Sequence, residues 1–400
     1  MPEEYFLIIA IFYLSCNPKF KKSGEFFMSK NRYRHHKNNK LKKYYWGGFF
    51  SLLLGIFLVV YLHHPQNMTK PITDASLSNT IEPKDKVSAS IEQTLVEKNF
   101  SGTALVFKDG KIILNKAYGW QDQGKKIKNS LSTQYCIGSV QKGQTAYLIM
   151  QAIKAGKLSF TQKLSDFYPE IPNSENISIK DMLNMSSGLR INEKKVEALN
   201  TTDTKKILAE TVRSATVAPT TNYSYQPVNY VLLAGVLEQL YQTNYQKLYQ
   251  KNIIEAFGLK ETSFYSVKNS QQALSYNSST AGLVYASTSA SSYADELGTG
   301  NIFMSAEDLY HYYQSLFDEI HLTTSERTQL WAPYTGETYA SGIYNQKNKY
   351  YSHGVKARFE TFVNFSKDGK DGIILLSNVR SQKNNYSSLS DQLYKKVVAQ

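Results

Sequence analysis

The sequence predicts an α+β fold: an α/β lobe, whose antiparallel sheet is built from both ends of the chain, plus an all-helical insertion forming a helical lobe. Three observations carry this reading. Gly102–Phe107 and Lys111–Tyr118 are strand-like runs joined by Lys108-Asp109-Gly110, a hairpin signal. Thr361–Phe365 and Gly372–Leu376 repeat the pattern around Lys367-Asp368-Gly369 near the other end. Between the two hairpins the apolar spacing is mainly helical.

The elements follow in order. Ser88–Phe100 reads as a helix, and Ser139–Lys154 has helical spacing at Tyr147, Met150 and Ile153. Ser178…Asp181 and Ser305…Asp308 have the spacing of capping boxes that open helices. Val228–Gln242 is a long apolar helix, and Ser275–Ser292, rich in Ser, Ala and Tyr, reads as a loop. Ser388–Val398 closes the chain as a helix with Ser388…Asp391 as its capping box.

Composition excludes two broad classes. Hydrophobic residues make up 42% and aromatics 13% of the 400 residues, too many for a chain disordered throughout. Two cysteines, Cys16 and Cys136, cannot staple a chain of this length. The net charge of +13 is unevenly placed. Met28–Lys43 carries seven cations and no acid, whereas residues 1–27 balance to zero. Residues 44–400 therefore keep +6.

The basic run precedes Tyr44–Leu62, nineteen residues without a charge. As a helix they span roughly 29 Å, the thickness of a hydrocarbon core. Tyr44, Tyr45 and Trp46 at one end and Tyr61 at the other resemble interfacial aromatic belts. The expected organisation is a cytoplasmic tail (1–43), a transmembrane anchor (44–62), a linker (63–86) and one extracellular domain (87–400). Residues 1–27 read as an over-long start, because Met28 opens the usual order of basic run and anchor. The basic run fits topology and anionic lipid better than nucleic acid. His35-His36 and His63-His64 lack partners at metal-ligand spacing, so no metal and no cofactor are expected.

The chemistry centres on Ser139-Val140-Gln141-Lys142. A serine at a helix start sits in the positive end of the helix dipole, with its N–H free to bind an oxyanion. A lysine three residues on lies on the same face, within reach of the hydroxyl. Once desolvated, it can be neutral and take the serine proton.

Ordered blocks around this motif resemble the penicillin-binding-protein-like serine hydrolases, the class C β-lactamase group. They are Phe100–Val106, Asp109-Gly110-Lys111, Ala117-Tyr118-Gly119, Ile137–Lys142, Gly156–Ser159 with Tyr168–Pro172, Ile179–Leu189, Asn252–Thr262, Gly298–Leu309 and Ile373–Asn378. The resemblance covers about residues 88–400 and implies the serine β-lactamase/transpeptidase-like fold. It implies Ser139 as nucleophile and Lys142 as its base. The family's second motif, Y-x-N, falls on Tyr225-Gln226-Pro227 or on Tyr223-Ser224-Tyr225. Register with the following NYVLLAGVLE favours Tyr225, and in both alignments the Asn is missing. The third motif, K-T-G or H-x-G, falls on His353-Gly354-Val355, its final Gly replaced. The resemblance then gives Lys356 the second oxyanion N–H.

These departures bear on substrate. Pro227 cannot recognise an amide N–H, and an ester has none to recognise. An intact S-x-x-K with degenerate second and third motifs looks like the teichoic-acid D-alanyl esterases, acting on D-alanylated teichoic or lipoteichoic acid. The alternatives are a D,D-carboxypeptidase or β-lactamase-like amidase on cell-wall peptide, and a non-catalytic cell-wall protein on the same fold. A positive exported part would favour meeting a polyanion.

Overall fold

The computed structural model describes residues 80–219, 222–279, 282–380 and 386–399. The expected tail and anchor and most of the expected linker lie outside the described residues. Among the described residues no helix is long and apolar enough to cross a membrane.

The elements that build the sheet lobe and frame the site are α1 (Lys86–Glu97), β1 (Gly102–Lys108), β2 (Lys111–Tyr118), α2 (Gln141–Lys154), α3 (Val228–Tyr241), β3 (Tyr339–Ala340), β4 (Ile343–Asn345), β5 (Tyr350–Lys356), β6 (Phe359–Phe365), β7 (Gly372–Ser377) and α4 (Tyr386–Val398). Strands β3-β4-β5-β6-β7-β1-β2 form one seven-stranded sheet in that order. Every pairing in it is antiparallel. The two ends of the chain meet at β1 and β7, with Gly102 opposite Ser377 and Phe107 opposite Gly372. Asp109 and Gly110 both have positive φ, so the first hairpin closes through the turn its Asp-Gly pair favours.

Both faces of the sheet are covered, and β1 shows why its run is apolar throughout. Ala104 and Val106 join a cluster with Ile91 and Leu95 of α1 and Leu389 and Leu393 of α4. Leu105 and Phe107 face the other way, into the larger core that includes α2 and α3. Helix α3 is buried continuously from Val228 to Leu237, so it runs through the helical lobe instead of over its surface.

Several expectations shift. Ile81 already bridges Asn115 of β2, and Asp85 caps α1 with a full capping box. The packed domain therefore begins inside the expected linker. Ser178 makes its capping box with Asp181, and Ser305 caps its helix through the Asp308 N–H. Ser388, in contrast, lies inside α4. The insertion is not all-helical: Ile302–Met304 pairs with both Tyr135–Cys136 and Thr262–Phe264. The expected loop at 275–292 contains paired strands, Tyr276–Ser279 and Gly282–Tyr285, and a short helix, Ala290–Ala294. Val379–Arg380 adds to that pair in parallel. A partner a hundred residues away left no local signal in a polar stretch.

Candidate active site

Ser139 lies in a 3-10 turn, Gly138–Val140, that runs straight into α2. The expected helix thus starts with a tighter turn, in which the Val140 N–H bonds the Ile137 carbonyl at 3.3 Å and the Gln141 N–H bonds back to Gly138 and Ser139. Lys142 is 1% exposed, and its Nζ donates to Ser139 Oγ at 2.9 Å and to the Thr299 carbonyl at 3.1 Å. Both partners are neutral oxygens. The ring of Tyr225 covers the same ammonium, 5.2 Å from Nζ to the ring centroid.

The side of α2 next to Lys142 fixes the Thr299 carbonyl. Buried Gln141 accepts from the N–H groups of Asn301 (2.6 Å) and Ile302 (3.2 Å) through Oε1. Its Nε2 donates to Asn301 Oδ1. Thr145, one turn on, donates to the Gly298 carbonyl at 2.7 Å. Helix and loop are therefore latched on both sides of Thr299.

A charge pair stands behind this loop. Glu296 accepts from Lys356 Nζ at 3.0 Å and from the Thr299 hydroxyl. Burial pushes the Glu296 carboxyl up, but the charges of Lys356 and Lys142 and the Thr299 hydroxyl more than offset it and hold it below its usual range. Burial lifts neighbouring Asp295 to about 6 despite Lys356. Cys136 is buried with its Sγ 3.3 Å from the Gly300 carbonyl, and burial pushes its thiol up to about 12, which makes it a packing group.

Strand β5 presses against the Gly138–Ser139 turn. A Cβ on Gly354 would stand 1.9 Å from the Ile137 carbonyl oxygen and 2.8 Å from the Ser139 nitrogen. A Cβ on Gly138 would stand 2.7 Å from the Val355 nitrogen. The contact needs glycine on both sides.

Gly354 is thus the strand residue that meets the turn, with the Val355 nitrogen beside Gly138. The contact fits a motif register of Ser352-His353-Gly354 better than one of His353-Gly354-Val355. Lys356 enters the site through its side chain, by way of Glu296. His353 lies away from Ser139. It stacks on Phe362 at 4.6 Å and bonds Glu360 at 3.2 Å, on the sheet face covered by α1 and α4. Strand residues alternate faces, so a one-residue change of register turns the histidine out and the glycine in.

The two tyrosines offered for the second motif pack differently. Tyr225 lies against Lys142, whereas Tyr223 packs on the far side of Tyr339 and is the partner of Tyr344. Both tyrosines contact the Tyr339 ring at 5.8 Å. Pro227 is the N-cap of α3 and carries no side-chain hydrogen bond. Asn229, two residues on, is tied to Ser187 (2.6 Å) and to the Gln226 carbonyl, so it does not stand in for the missing Asn. Among the described residues no group of three or more His, Cys, Asp or Glu side chains is placed to hold a metal.

Sequence reasoning missed Thr299, Glu296, Gln141 and Val355. Two of them act through backbone atoms, which residue identity does not mark. The GTGNIF block held Thr299, but only as a fold resemblance.

A serine turn at a helix start, a buried lysine one turn on and a sheet strand pressed to the turn are the arrangement of the two-lobed serine hydrolases. The chain belongs to the Beta-lactamase family, whose sequence profile matches residues 87–386. It is 27% identical to the Bacillus subtilis (strain 168) protein named as penicillin-binding protein PbpX, over 88% of this chain and 93% of that one. It is also 27% identical to a teichoic acid D-alanine hydrolase of Staphylococcus aureus, over 60% of this chain and 59% of that protein. The fold matches the crystal structure of FmtA from Staphylococcus aureus with a TM-score of 0.70 at 22% identity, covering 80% of this chain and 89% of that one.

Proposed function

We propose that this chain is a membrane-anchored, extracytoplasmic serine hydrolase that removes D-alanyl esters from teichoic or lipoteichoic acid. The observation that carries the reading is the 2.9 Å Lys142–Ser139 contact, with Lys142 buried against neutral oxygens, beside a second motif that ends in Pro227. The contact supports an esterase over a scaffold, since a non-catalytic protein gains little from a buried lysine held on a serine hydroxyl. Pro227 supports an ester over an amide. The Staphylococcus relative bears the name of the activity proposed. Tyr44–Leu62 and the basic run before it support the anchor and its orientation.

In the reaction, Lys142 acts as the base and takes the Ser139 proton as Oγ bonds to the D-alanyl carbonyl carbon. The carbonyl oxygen becomes an oxyanion beside the N–H groups of Ser139 and Val355. As the C–O bond to the polymer breaks, the proton passes from Lys142, with Tyr225 alongside, to the leaving alkoxide. Water then attacks the acyl-serine by the reverse route and D-alanine leaves.

A D,D-carboxypeptidase or penicillin-binding reading is favoured by the name of the Bacillus relative. One panel separates the two. The full chain in detergent is offered D-alanylated lipoteichoic acid, a D-Ala-D-Ala muropeptide and a chromogenic β-lactam. Ser139-dependent D-alanine release from the polymer is expected. Release from the muropeptide and not the polymer would sink the esterase reading.

The Glu296–Lys356 pair makes a prediction about pH. Against the push of burial, Lys356, Lys142 and the Thr299 hydroxyl hold the Glu296 carboxyl below its usual range, so its ionised form stabilises the fold. That contribution is present at neutral pH and is lost as pH falls through the folded-state value. Glu296→Gln should therefore lower the Tm at neutral pH and flatten its fall on acidification, read by thermal unfolding across an acid pH series. The same acid slope in wild type and Glu296→Gln would remove the electrostatic account.

A further inference from the structure

We propose that Arg190 and the groove beyond it form a subsite for a phosphodiester of an anionic polymer, adjoining the Ser139 site. Arg190 ends the short strand Leu189–Arg190, which pairs with Thr216–Val217. Its guanidinium donates to its neighbour's carbonyl, Leu189 O, at 2.8 Å and to Ser224 Oγ at 2.9 Å. Ser224 is itself fixed, its N–H on the Met185 carbonyl at 2.8 Å. Ser224 directly precedes Tyr225, whose ring lies over Lys142. The guanidinium is thus linked to Ser139 through Ser224, Tyr225 and Lys142.

The cations around the site differ in what neutralises them. Lys142 is committed to Ser139 and Thr299. Lys356 is paired with Glu296, and Arg213 with Glu210. Arg190 has two neutral acceptors and, among the described residues, no carboxylate within salt-bridge distance. It is half-buried, with further donors to spare. A guanidinium held by neutral groups, with its charge uncompensated and its plane fixed, suits a tetrahedral oxyanion with two acceptor oxygens.

The chain then runs from Arg190 into the wall of an open groove of about 470 Å³, lined by Ile191, Asn192, Glu193, Lys194, Ser214 and Thr216. Apart from Ile191 the lining is polar, and Lys194 offsets Glu193. Such a groove fits a hydrophilic repeating chain better than an apolar group. In a poly(glycerol phosphate) chain, phosphodiesters flank each esterified carbon, so an anion site beside the hydrolytic site would set the register of the ester.

The consequence for turnover rests on the hydrolase reading above, whereas the consequence for binding does not. The test therefore measures both on the full chain in detergent. Binding is followed by calorimetry with alanine-free, deacylated poly(glycerol phosphate). Turnover is followed on D-alanylated polymer and on the phosphate-free D-alanyl ester of glycerol. Arg190→Gln is expected to weaken polymer binding about tenfold and to flatten its salt dependence. The loss of kcat/KM should be far larger on the polymer than on the phosphate-free ester. Arg190→Lys should recover part of the binding, as a point charge without the fork.

Polymer binding equal in wild type and Arg190→Gln would overturn the subsite, as would a wild type that binds no polymer. Equal losses on both esters would also overturn it, and would make Arg190 a support for Ser224 and Tyr225. A wild type that binds polymer through Arg190 but hydrolyses neither ester leaves the subsite standing and removes the hydrolase reading.

Discussion

Ser139→Ala and Lys142→Met are each expected to lower D-alanyl ester turnover by at least about 10³-fold, and the double variant should be little worse than either. The two side chains act as one unit across 2.9 Å, so removing either removes the activated nucleophile. The effects on folding should differ from those on rate. Lys142 is 1% exposed and bonded to two neutral oxygens. Methionine has nearly its shape and no charge to desolvate, so Lys142→Met should hold or raise the Tm. Ser139→Ala leaves the ammonium with the Thr299 carbonyl alone and should lower the Tm slightly. Single-turnover acylation of Ser139 and thermal unfolding of the same samples check both statements. Lys142→Met retaining more than a tenth of the wild-type rate would show that another group takes the serine proton, and Tyr225 would be the first candidate.

The nucleophile pair was legible in the sequence because its chemistry is local. A three-residue spacing at a helix start leaves few places for a lysine to go. The sheet was legible for a related reason: two Asp-Gly turns flanked by apolar runs fix two hairpins, and the shared apolar character of β1 and β7 suits a fully covered pair. The rest of the site is non-local. Thr299 contributes a carbonyl, and Val355 an amide, which any residue supplies. Glu296 reads as one acid among 33 Asp and Glu until Lys356 is seen beside it. The hairpin at Tyr276–Tyr285 depends on Val379–Arg380, and nothing local marks that pairing.

The third motif shows how such a misreading arises. Histidine draws attention as a chemical residue, and an alignment that starts on His353 makes Gly354 the variable middle position. A strand alternates faces at every residue, so the choice of first residue decides which side chains meet the nucleophile. The glycine carries the better physical signal. Only glycine lets the β5 backbone reach the Gly138–Ser139 turn, and that requirement belongs to one position. The face opposite is ordinary core, where an imidazole stacks on Phe362 and bonds Glu360.

Gly354→Ala should therefore damage the enzyme more than any change at His353. The added methyl would sit 1.9 Å from the Ile137 carbonyl oxygen and 2.8 Å from the Ser139 nitrogen, both backbone atoms that cannot rotate aside. The turn or β5 must move, and displacement of the nucleophile by about 1 Å costs on the order of 10²-fold in rate. Overpacking of this kind adds about 1–3 kcal/mol of destabilisation, or a Tm fall of several degrees in a domain this size. His353→Gln removes a stacked, half-exposed ring from the far face of the same strand. It should lower the Tm modestly while leaving turnover within about twofold, because the ring stacks on Phe362 and bonds Glu360 on the face away from Ser139. Measured together, the two variants decide the register. A rate loss concentrated at Gly354 assigns the oxyanion amide to Val355. A rate loss concentrated at His353 would return the histidine to the site and require β5 to present its opposite face to Ser139.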